Sequence, residues 1–326
     1  MNIWEFLGLP ANHRPKNKIV QLVEHWKEVP ESKKQFPYFG QVKKDGVFAA
    51  LVVKGGNKYY GFPQIFGRTG AQLTSCEGYL SRYECDTWPS GVYIGELVSD
   101  KECSLEQLSG VVNPERVNGL NGLQRIIADG IRIKFHDWCP LENFIKGSTP
   151  HSYQERHLEL QYWLEHTCGY QDILGYTLIH DEEARLEFAA ACIAAGEEGA
   201  VFKRPDLPWV AGHKGFHQMK EVSQVSYDLK CIGYEEGEGK YAGKVANLIF
   251  QWRDGQTIKA MLGKGWTHAD AEQMFKAIKG VSQFEGTASN PLGRVFKVKG
   301  LMDSSKGKIR LPKVAECRWD KTEGDY

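Results

Sequence analysis

Residues 38–53 read YFGQVKKDGVFAALVV, and this stretch decides how the first part of the chain is interpreted. Apolar side chains alternate from Val47 to Val53, which predicts a strand. The sequence KGGN at 54–57 follows as a turn, so we expect a hairpin after the strand. Before it, the apolar spacing over residues 19–26 (Ile19, Leu22, Val23, Trp26) predicts an amphipathic helix.

The rest of the first two thirds mixes strands and helices. Short runs of residues that favour β-structure predict strands at 91–98, 131–135 and 200–203. Helical patterns cover about 154–166 and 181–195, and the second helix ends at Gly196. We therefore expect an α+β fold with mainly antiparallel strands.

After about residue 222 the chain changes to short strands separated by glycines, at 228–234, 244–252 and 257–262. One helix interrupts them, with Thr267 as its N-cap, Asp270 three residues later and Gly280 at its end. Five strands and one helix are typical of an OB-fold barrel. We place the boundary so that 1–222 forms one domain and 223–326 the other.

Bulk composition permits many functions. The 326 residues are 41% hydrophobic and carry 41 basic and 41 acidic side chains, so the overall charge does not indicate a nucleic-acid binder. Between Arg294 and Lys321, however, nine basic residues stand against three acidic ones. No leader or membrane span is indicated, and the expected location is the cytoplasm of a bacterium or a phage-infected host.

Five short segments carry the chemistry, and they occur in a fixed order. They are Lys43-Lys44-Asp45-Gly46, Gly67-Arg68-Thr69-Gly70, Ile94-Gly95-Glu96-Leu97, Glu198-Gly199-Ala200-Val201-Phe202-Lys203 and Met219-Lys220. The first segment alone is weak, because a charged turn would look the same. A lysine amine attacks phosphorus only when neutral, so nearby cations and desolvation would be needed to lower its pKa.

In these segments, and over nearly its whole length, the chain resembles the ATP-dependent DNA ligases, especially the small phage and bacterial two-domain forms. The barrel strengthens the resemblance through Tyr234–Gly243, Gly263–Thr267, Arg310–Lys313 and Arg318–Lys321. Capping-type guanylyltransferases and RNA ligases fit these segments less well. They stay open as alternatives, as does a catalytically silent OB-containing nucleic-acid-binding protein.

The resemblance implies an antiparallel-sheet adenylation (nucleotidyltransferase) domain followed by the OB-fold, and a role for each matching residue. Lys43 would carry AMP from ATP, with Mg²⁺ held by Glu96 and Glu198. The catalytic set would be Lys43, Lys220, Arg318, Asp320 and Lys321. The nucleotide would contact Gln41, Val42, Lys43, Arg68, Glu96, His136, Lys203 and Lys220, with His136 at the place of the aromatic residue that stacks on adenine and Phe135 as its neighbour.

Nicked duplex DNA is the implied partner, bound by a chain expected to be a monomer. The residues expected to bind DNA are Lys44, Arg68, Lys297, Lys299, Arg310 and Lys313, together with Lys16, Lys18, Lys33 and Lys34. Such contacts go mainly to phosphates, so binding should weaken with salt and show little sequence preference.

Besides His136, the sequence departs from the family pattern at four positions. Gln41 replaces a usual glutamate, Phe48 an arginine, Ile94 an aspartate and Gln218 a lysine. The last change removes one positive charge near the α-phosphate, and three residues are candidates to compensate for it: Lys203, Lys214 and His217.

Overall fold

The structure is a computed structural model, and it describes residues 1–14, 19–55, 62–76, 80, 88–165, 172–281, 289–303 and 307–326. The chain divides into two compact units, Met1–Val222 and Ser223–Tyr326. Within the described ranges, no helix is long and apolar enough to cross a membrane. The cysteines placed there are free thiols.

The described strands of the first unit are β1 (Leu22–His25), β2 (Tyr38–Lys43), β3 (Val47–Val53), β4 (Gln64–Phe66), β5 (Gly91–Ser99), β6 (Ile131–Pro140), β7 (Ser148–Ser152), β8 (Thr177–Ile179), β9 (Gly199–Lys203), β10 (Pro208–Val210) and β11 (Lys214–Val222). Its described α-helices are α1 (Ile3–Phe6), α2 (Leu105–Val111), α3 (Gly122–Asp129), α4 (Leu141–Lys146), α5 (Tyr153–Glu165) and α6 (Glu182–Ala194). The mixture agrees with the predicted α+β fold.

Two sheets organise this unit. One has the strand order β1-β11-β9-β2-β8 and the other β4-β3-β5-β6, while β10 and β7 form a separate pair. Strand β3 is apolar along its length because both of its faces are covered: Leu51 packs into one apolar cluster and Val52 into another. Pairing within the two larger sheets is antiparallel except between β1 and β11.

The helix predicted over residues 19–26 is wrong. Leu22–His25 is strand β1, and Trp26–Glu28 is a single 3-10 turn. Strand β1 runs parallel to β11, with Leu22 opposite Lys214 and His25 opposite Lys220. This long-range pairing satisfies the backbone and overrides the helical spacing of the apolar residues, which alone cannot distinguish the two structures. The hairpin after β3 is confirmed by its pairing with β4, and residues 56–57 of its turn lie outside the described residues.

The second unit is a closed barrel with the strand order β12-β13-β14-β16-β15. Its elements are β12 (Val225–Glu236), β13 (Val245–Gln251), β14 (Thr257–Leu262), α7 (His268–Ile278), β15 (Val295–Asp303) and β16 (Ile309–Cys317). The predicted OB-fold barrel is confirmed. Helix α7 begins with the predicted capping box, in which Thr267 and Asp270 bond to each other's backbone N–H groups. Its buried Met274 joins the barrel core.

Candidate active site

Lys43 ends β2 at a cleft between the two sheets of the first unit. The cleft has a volume of about 480 Å³, and side chains from β2, β9 and β11 face side chains from β3, β5 and β6 across it. Lys43 lies opposite Gly199 of β9 and is 21% exposed, so its amine is reachable from solvent. A partly apolar cleft of this size suits a small-molecule substrate.

Two glycines fix the backbone around Lys43. A Cβ on Gly46 would lie 2.3 Å from the carbonyl oxygen of Leu97, so the turn after Lys43 presses directly against β5. Gly199 has φ +150°, and a Cβ there would lie 2.1 Å from the carbonyl oxygen of Glu221. Each of these two segments therefore needs glycine for close backbone contact.

Two consecutive carboxylates hold the two consecutive lysines. Lys43 Nζ donates to Glu198 Oε2 at 2.5 Å, and Lys44 Nζ donates to Glu197 Oε1. Glu197 and Glu198 immediately precede β9, whose pairing with β2 brings them beside the lysines. The Lys43 amine is thus fixed at the edge of the cleft by a residue that the sequence analysis assigned to metal binding.

Glu96, Arg68 and Lys220 lie around the same point of the cleft. Burial raises the pKa of Glu96 to about 7, an effect opposed by the charges of Lys43 and Arg68 and reinforced by Glu198. Burial, together with the positive charge of Lys43, lowers the pKa of Lys220. Several charges are thus crowded into a poorly solvated space, as is common at catalytic sites.

Gln41 lies deeper in the cleft and is buried. Its amide nitrogen donates to the carbonyl oxygen of Leu174 at 2.8 Å, and its amide oxygen accepts a hydrogen bond from the Tyr153 hydroxyl at 2.9 Å. Gln41 is one of the residues expected to contact the nucleotide, and its amide oxygen could accept from the adenine amine. A carbonyl oxygen has a second lone pair, so that role stays a prediction.

His136 lines the cleft, whereas the neighbouring Phe135 is buried in the core against Trp88. The Lys203 amine lies 3.1 Å from Nδ1 of His136 and donates to the backbone carbonyl of His136 and to Tyr153. Burial and the charge of Lys203 lower the pKa of His136 to about 3. Burial lowers the pKa of Lys203 to about 7. His136 is therefore a neutral ring at neutral pH.

The departures from the family pattern also lie at the cleft. Phe48 and Ile94 line it and join an apolar cluster behind it. Gln218 donates to the backbone carbonyl of Gln21 at 2.8 Å and lies opposite Lys203 in the ladder between β11 and β9.

Of the three candidates to replace the missing lysine, Lys203 is the one that lines the cleft among the described residues. Lys214 instead pairs with Glu24 at 2.8 Å, and His217 donates through Nδ1 to the carbonyl oxygen of Pro208 at 3.1 Å.

The barrel gathers the last motif into one cluster. Arg318 donates to both carboxylate oxygens of Asp320 and, through Nη1, to Asp228, which also accepts from Lys321. Neither Asp228 nor Tyr153, which lies behind the cleft and donates to Gln41, was predicted from the sequence, because neither belongs to a motif. A single polar residue in a predicted strand or helix does not indicate that its side chain will hydrogen-bond to a residue far away in the sequence.

The residues predicted to bind DNA are dispersed. Lys297 and Lys299 alternate with the buried Phe296 and Val298 on β15, so they lie on the outside of the barrel. Lys299 faces Lys313 of β16, and Lys297 pairs with Glu316 at 2.5 Å. The remaining predicted contacts in the described chain are Lys33, Lys34, Lys44, Arg68 and Arg310, while Lys16 and Lys18 lie outside the described residues.

Comparisons with known proteins agree with this geometry. A family model described as DNA ligase OB-like domain matches residues 236–318. A probable DNA ligase of Mycobacterium marinum is 36% identical over 85 residues, which are 26% of this chain and 17% of that protein. The match thus spans less than a fifth of that relative's length.

Two solved structures share the overall fold. Lig E DNA ligase, described as binding DNA with a minimal scaffold, has a TM-score of 0.64 at 15% identity, covering 92% of this chain and 98% of its own. The ATP-dependent DNA ligase of bacteriophage T7 in complex with ATP has a TM-score of 0.51 at 15% identity, covering 93% and 99%.

Fold and site together define an α+β unit with a lysine-edged cleft, followed by an OB barrel. More specifically, the chain has the fold of the ATP-dependent DNA ligases, and residues 236–318 of its second unit match the DNA ligase OB-like domain model. The expectation drawn from the ordered motifs is confirmed at this level.

Proposed function

We propose that this chain is an ATP-dependent DNA ligase that carries AMP on Lys43 and seals nicks in duplex DNA. The main supporting observation is the placement of Lys43, whose amine is held by Glu198 at the edge of the cleft beside Glu96, Arg68 and Lys220. Residues 1–222 would be the adenylation domain and 223–326 the OB domain, in a monomeric protein.

In the first step the Lys43 amine, having lost a proton, attacks the α-phosphorus of ATP. The new N–P bond forms as the bond from that phosphorus to the bridging oxygen of the β-phosphate breaks, and pyrophosphate leaves with the electron pair. Lys220 and Arg68 are cations of the cleft that would stabilise the charge building up on the phosphates, and bound phosphates would favour the charged form of Lys203 as well. Arg318, Asp320 and Lys321 of the barrel would orient the departing pyrophosphate.

The carboxylates fit a magnesium ion. Mg²⁺ is usually held by one or two carboxylates together with substrate phosphates, and Glu96 and Glu198 would supply the protein oxygens. Burial, reinforced by Glu198, raises the pKa of Glu96, and a bound cation would favour the ionised form of both carboxylates. When bound, the ion would draw charge from the phosphates. Glu198, which accepts a hydrogen bond from Lys43, would be one of the two residues that hold the ion.

The adenine base would lie at the deeper end of the cleft, against His136 and within reach of Gln41. The second and third steps would pass AMP from Lys43 to the 5′-phosphate of a nick, after which the 3′-hydroxyl displaces AMP and forms the phosphodiester. The outer face of the barrel, with Lys297, Lys299 and Lys313, would hold duplex phosphates, so binding is expected to weaken steeply with salt.

The deciding experiment is incubation of the purified chain with Mg²⁺ and α-labelled ATP. A heat-stable label on the protein is expected, and it should disappear in Lys43→Ala while remaining in Lys146→Ala, which changes an exposed lysine of α4 in the same unit. Absence of covalent adenylate on the unaltered chain would rule out the proposed enzyme and favour a silent nucleic-acid-binding protein.

Further reactions separate the remaining alternatives. Labelling by GTP in place of ATP would favour a capping-type guanylyltransferase. Sealing of a nicked RNA duplex in preference to a nicked DNA duplex would favour an RNA ligase. The proposal requires ATP labelling followed by sealing of nicked DNA.

A further inference from the structure

Asp228, on β12, is the hub of the charged cluster at the end of the barrel. Its Oδ2 accepts from Arg318 Nη1 at 2.5 Å and from Lys321 Nζ at 2.6 Å. The residue is only 8% exposed, and its other oxygen, Oδ1, is buried with no hydrogen-bond partner among the described residues. A carboxylate is costly to place in such surroundings unless its charge is needed.

The backbone of Asp228 is fixed from the other side. Its N–H donates to Oδ2 of Asp325 at 2.8 Å, and its carbonyl accepts from the N–H of Asp325 at 2.7 Å. Gly324 lies so close to β12 that a Cβ would be 2.9 Å from the backbone nitrogen of Lys230. Tyr326 then packs its ring against Trp252. The segment after Lys321 is therefore anchored to the same strand that carries Asp228.

We propose that Asp228 is a positioning residue for the adenylation step, and this inference rests on the proposed function. One oxygen holds Arg318 and Lys321 at a fixed separation, while Asp320 orients the guanidinium from its opposite edge. The two cations can then meet the pyrophosphate of ATP as one preorganised pair. Both side chains keep N–H groups that Asp228 and Asp320 do not use, so they can bind an anion without leaving the cluster.

Preorganisation matters because both cations are on long, flexible side chains. Without Asp228 each would sample many rotamers, and ordering them would have to occur during the reaction. Asp228 does not reach the nucleotide in this scheme, and it acts only through Arg318 and Lys321. Its effect should therefore be confined to the step in which those two residues contact the leaving group.

The test measures the chemical steps separately in the 326-residue chain. In single-turnover reactions with ATP, Asp228→Asn should form lysyl-AMP more slowly by on the order of 10- to 100-fold, the range for groups that orient other groups. Sealing of a nick whose 5′-phosphate already carries AMP should stay within about two-fold of the unaltered chain, because that step releases no pyrophosphate. Asp228→Glu, which keeps the charge, should recover part of the adenylation rate.

Two controls distinguish positioning from general damage. Glu235→Gln removes a carboxylate that pairs with Lys259 on the same barrel, and it should leave adenylation unchanged. In an Arg318→Ala, Lys321→Ala background, adding Asp228→Asn should lower the adenylation rate by no more than about two-fold, since the groups it acts through are gone.

Normal adenylation by Asp228→Asn overturns the inference, and so does an equal loss in adenylation and in sealing of the pre-adenylated nick. If Asp228→Asn does not fold, Asp228→Glu carries the same test, because a loss confined to adenylation supports the inference and any other result opposes it. These failures differ from failure of the proposed function, in which the unaltered chain itself forms no lysyl-AMP.

Discussion

Replacing Lys203 with methionine should change the pH dependence of stability in a direction fixed by the structure. Lys203 is 4% exposed, and burial lowers its pKa from 10.5 to about 7. Below pH 7 the Lys203 amine is charged in the folded protein, and its poor solvation then lowers the free energy of unfolding by the largest amount. Between pH 7 and 10.5 the folded state has released the proton while the unfolded state still binds it, so the stability of the unaltered chain rises with pH.

The size of the effect follows from the linkage relation. The stability of the unaltered chain relative to Lys203→Met should rise by about 1.4 kcal/mol per pH unit above pH 7, or up to about 2.7 kcal/mol by pH 9. Methionine also loses the hydrogen bonds to His136 and Tyr153, each worth roughly 0.5–1.5 kcal/mol. Because that loss does not depend on pH, it changes the stability difference between the two chains by the same amount at every pH and leaves its slope unchanged.

The assay is urea unfolding of both full-length chains at unit intervals from about pH 6 to about pH 9. The neighbouring imidazoles do not interfere, because burial lowers the pKa of His136 to about 3 and that of His157 to about 4. Lys146→Met, at an exposed site, should give a flat difference over the same range. Parallel curves for Lys203→Met and the unaltered chain would refute the argument that burial makes Lys203 titrate near neutral pH.

Two further predictions concern the carboxylate and glycine of the cleft. In the absence of metal, Glu96→Gln should be increasingly more stable than the unaltered chain as pH rises from 4.5 to 7, because burial raises the pKa of Glu96 to about 7 and ionising it in the folded state costs free energy. Denaturant titrations with EDTA would measure this, and a difference that shrank over that range would contradict it. Gly46→Ala should slow lysyl-AMP formation by about 100-fold, since the new methyl group must push the Lys43 turn away from Leu97. Single-turnover labelling checks that expectation, and an unchanged rate would mean that the turn need not lie against β5.

Much of the architecture could be predicted from local patterns. Glycine-punctuated strands and a capped helix identified the barrel, because each strand of a small barrel keeps one face in the core. Strand β1 escaped prediction for a physical reason: its apolar residues fit a helical repeat, and only the parallel ladder with β11, nearly two hundred residues later, makes it a strand.

Residues of the cleft that belong to contiguous motifs were predicted from the sequence. Residues that act through long-range contacts were not. Lys43, Glu96 and Lys220 were found because each sits in a recognisable segment. Tyr153 was not, since its hydroxyl meets Gln41 across 112 positions of sequence. Asp228 is separated from Arg318 by 90 positions in the same way. The sequence shows which residues are charged, whereas the fold determines which charged residues form ion pairs with each other.

The overall charge of zero conceals how the basic residues are used. Across the β15 and β16 ladder, Lys299 lies directly opposite Lys313, and both are exposed. Like charges in this position weaken a sheet, so the pair contributes nothing to holding the barrel together. A phosphate backbone lying over the two strands would turn the repulsion into attraction. This exposed pair is therefore where we propose that duplex phosphates contact the barrel.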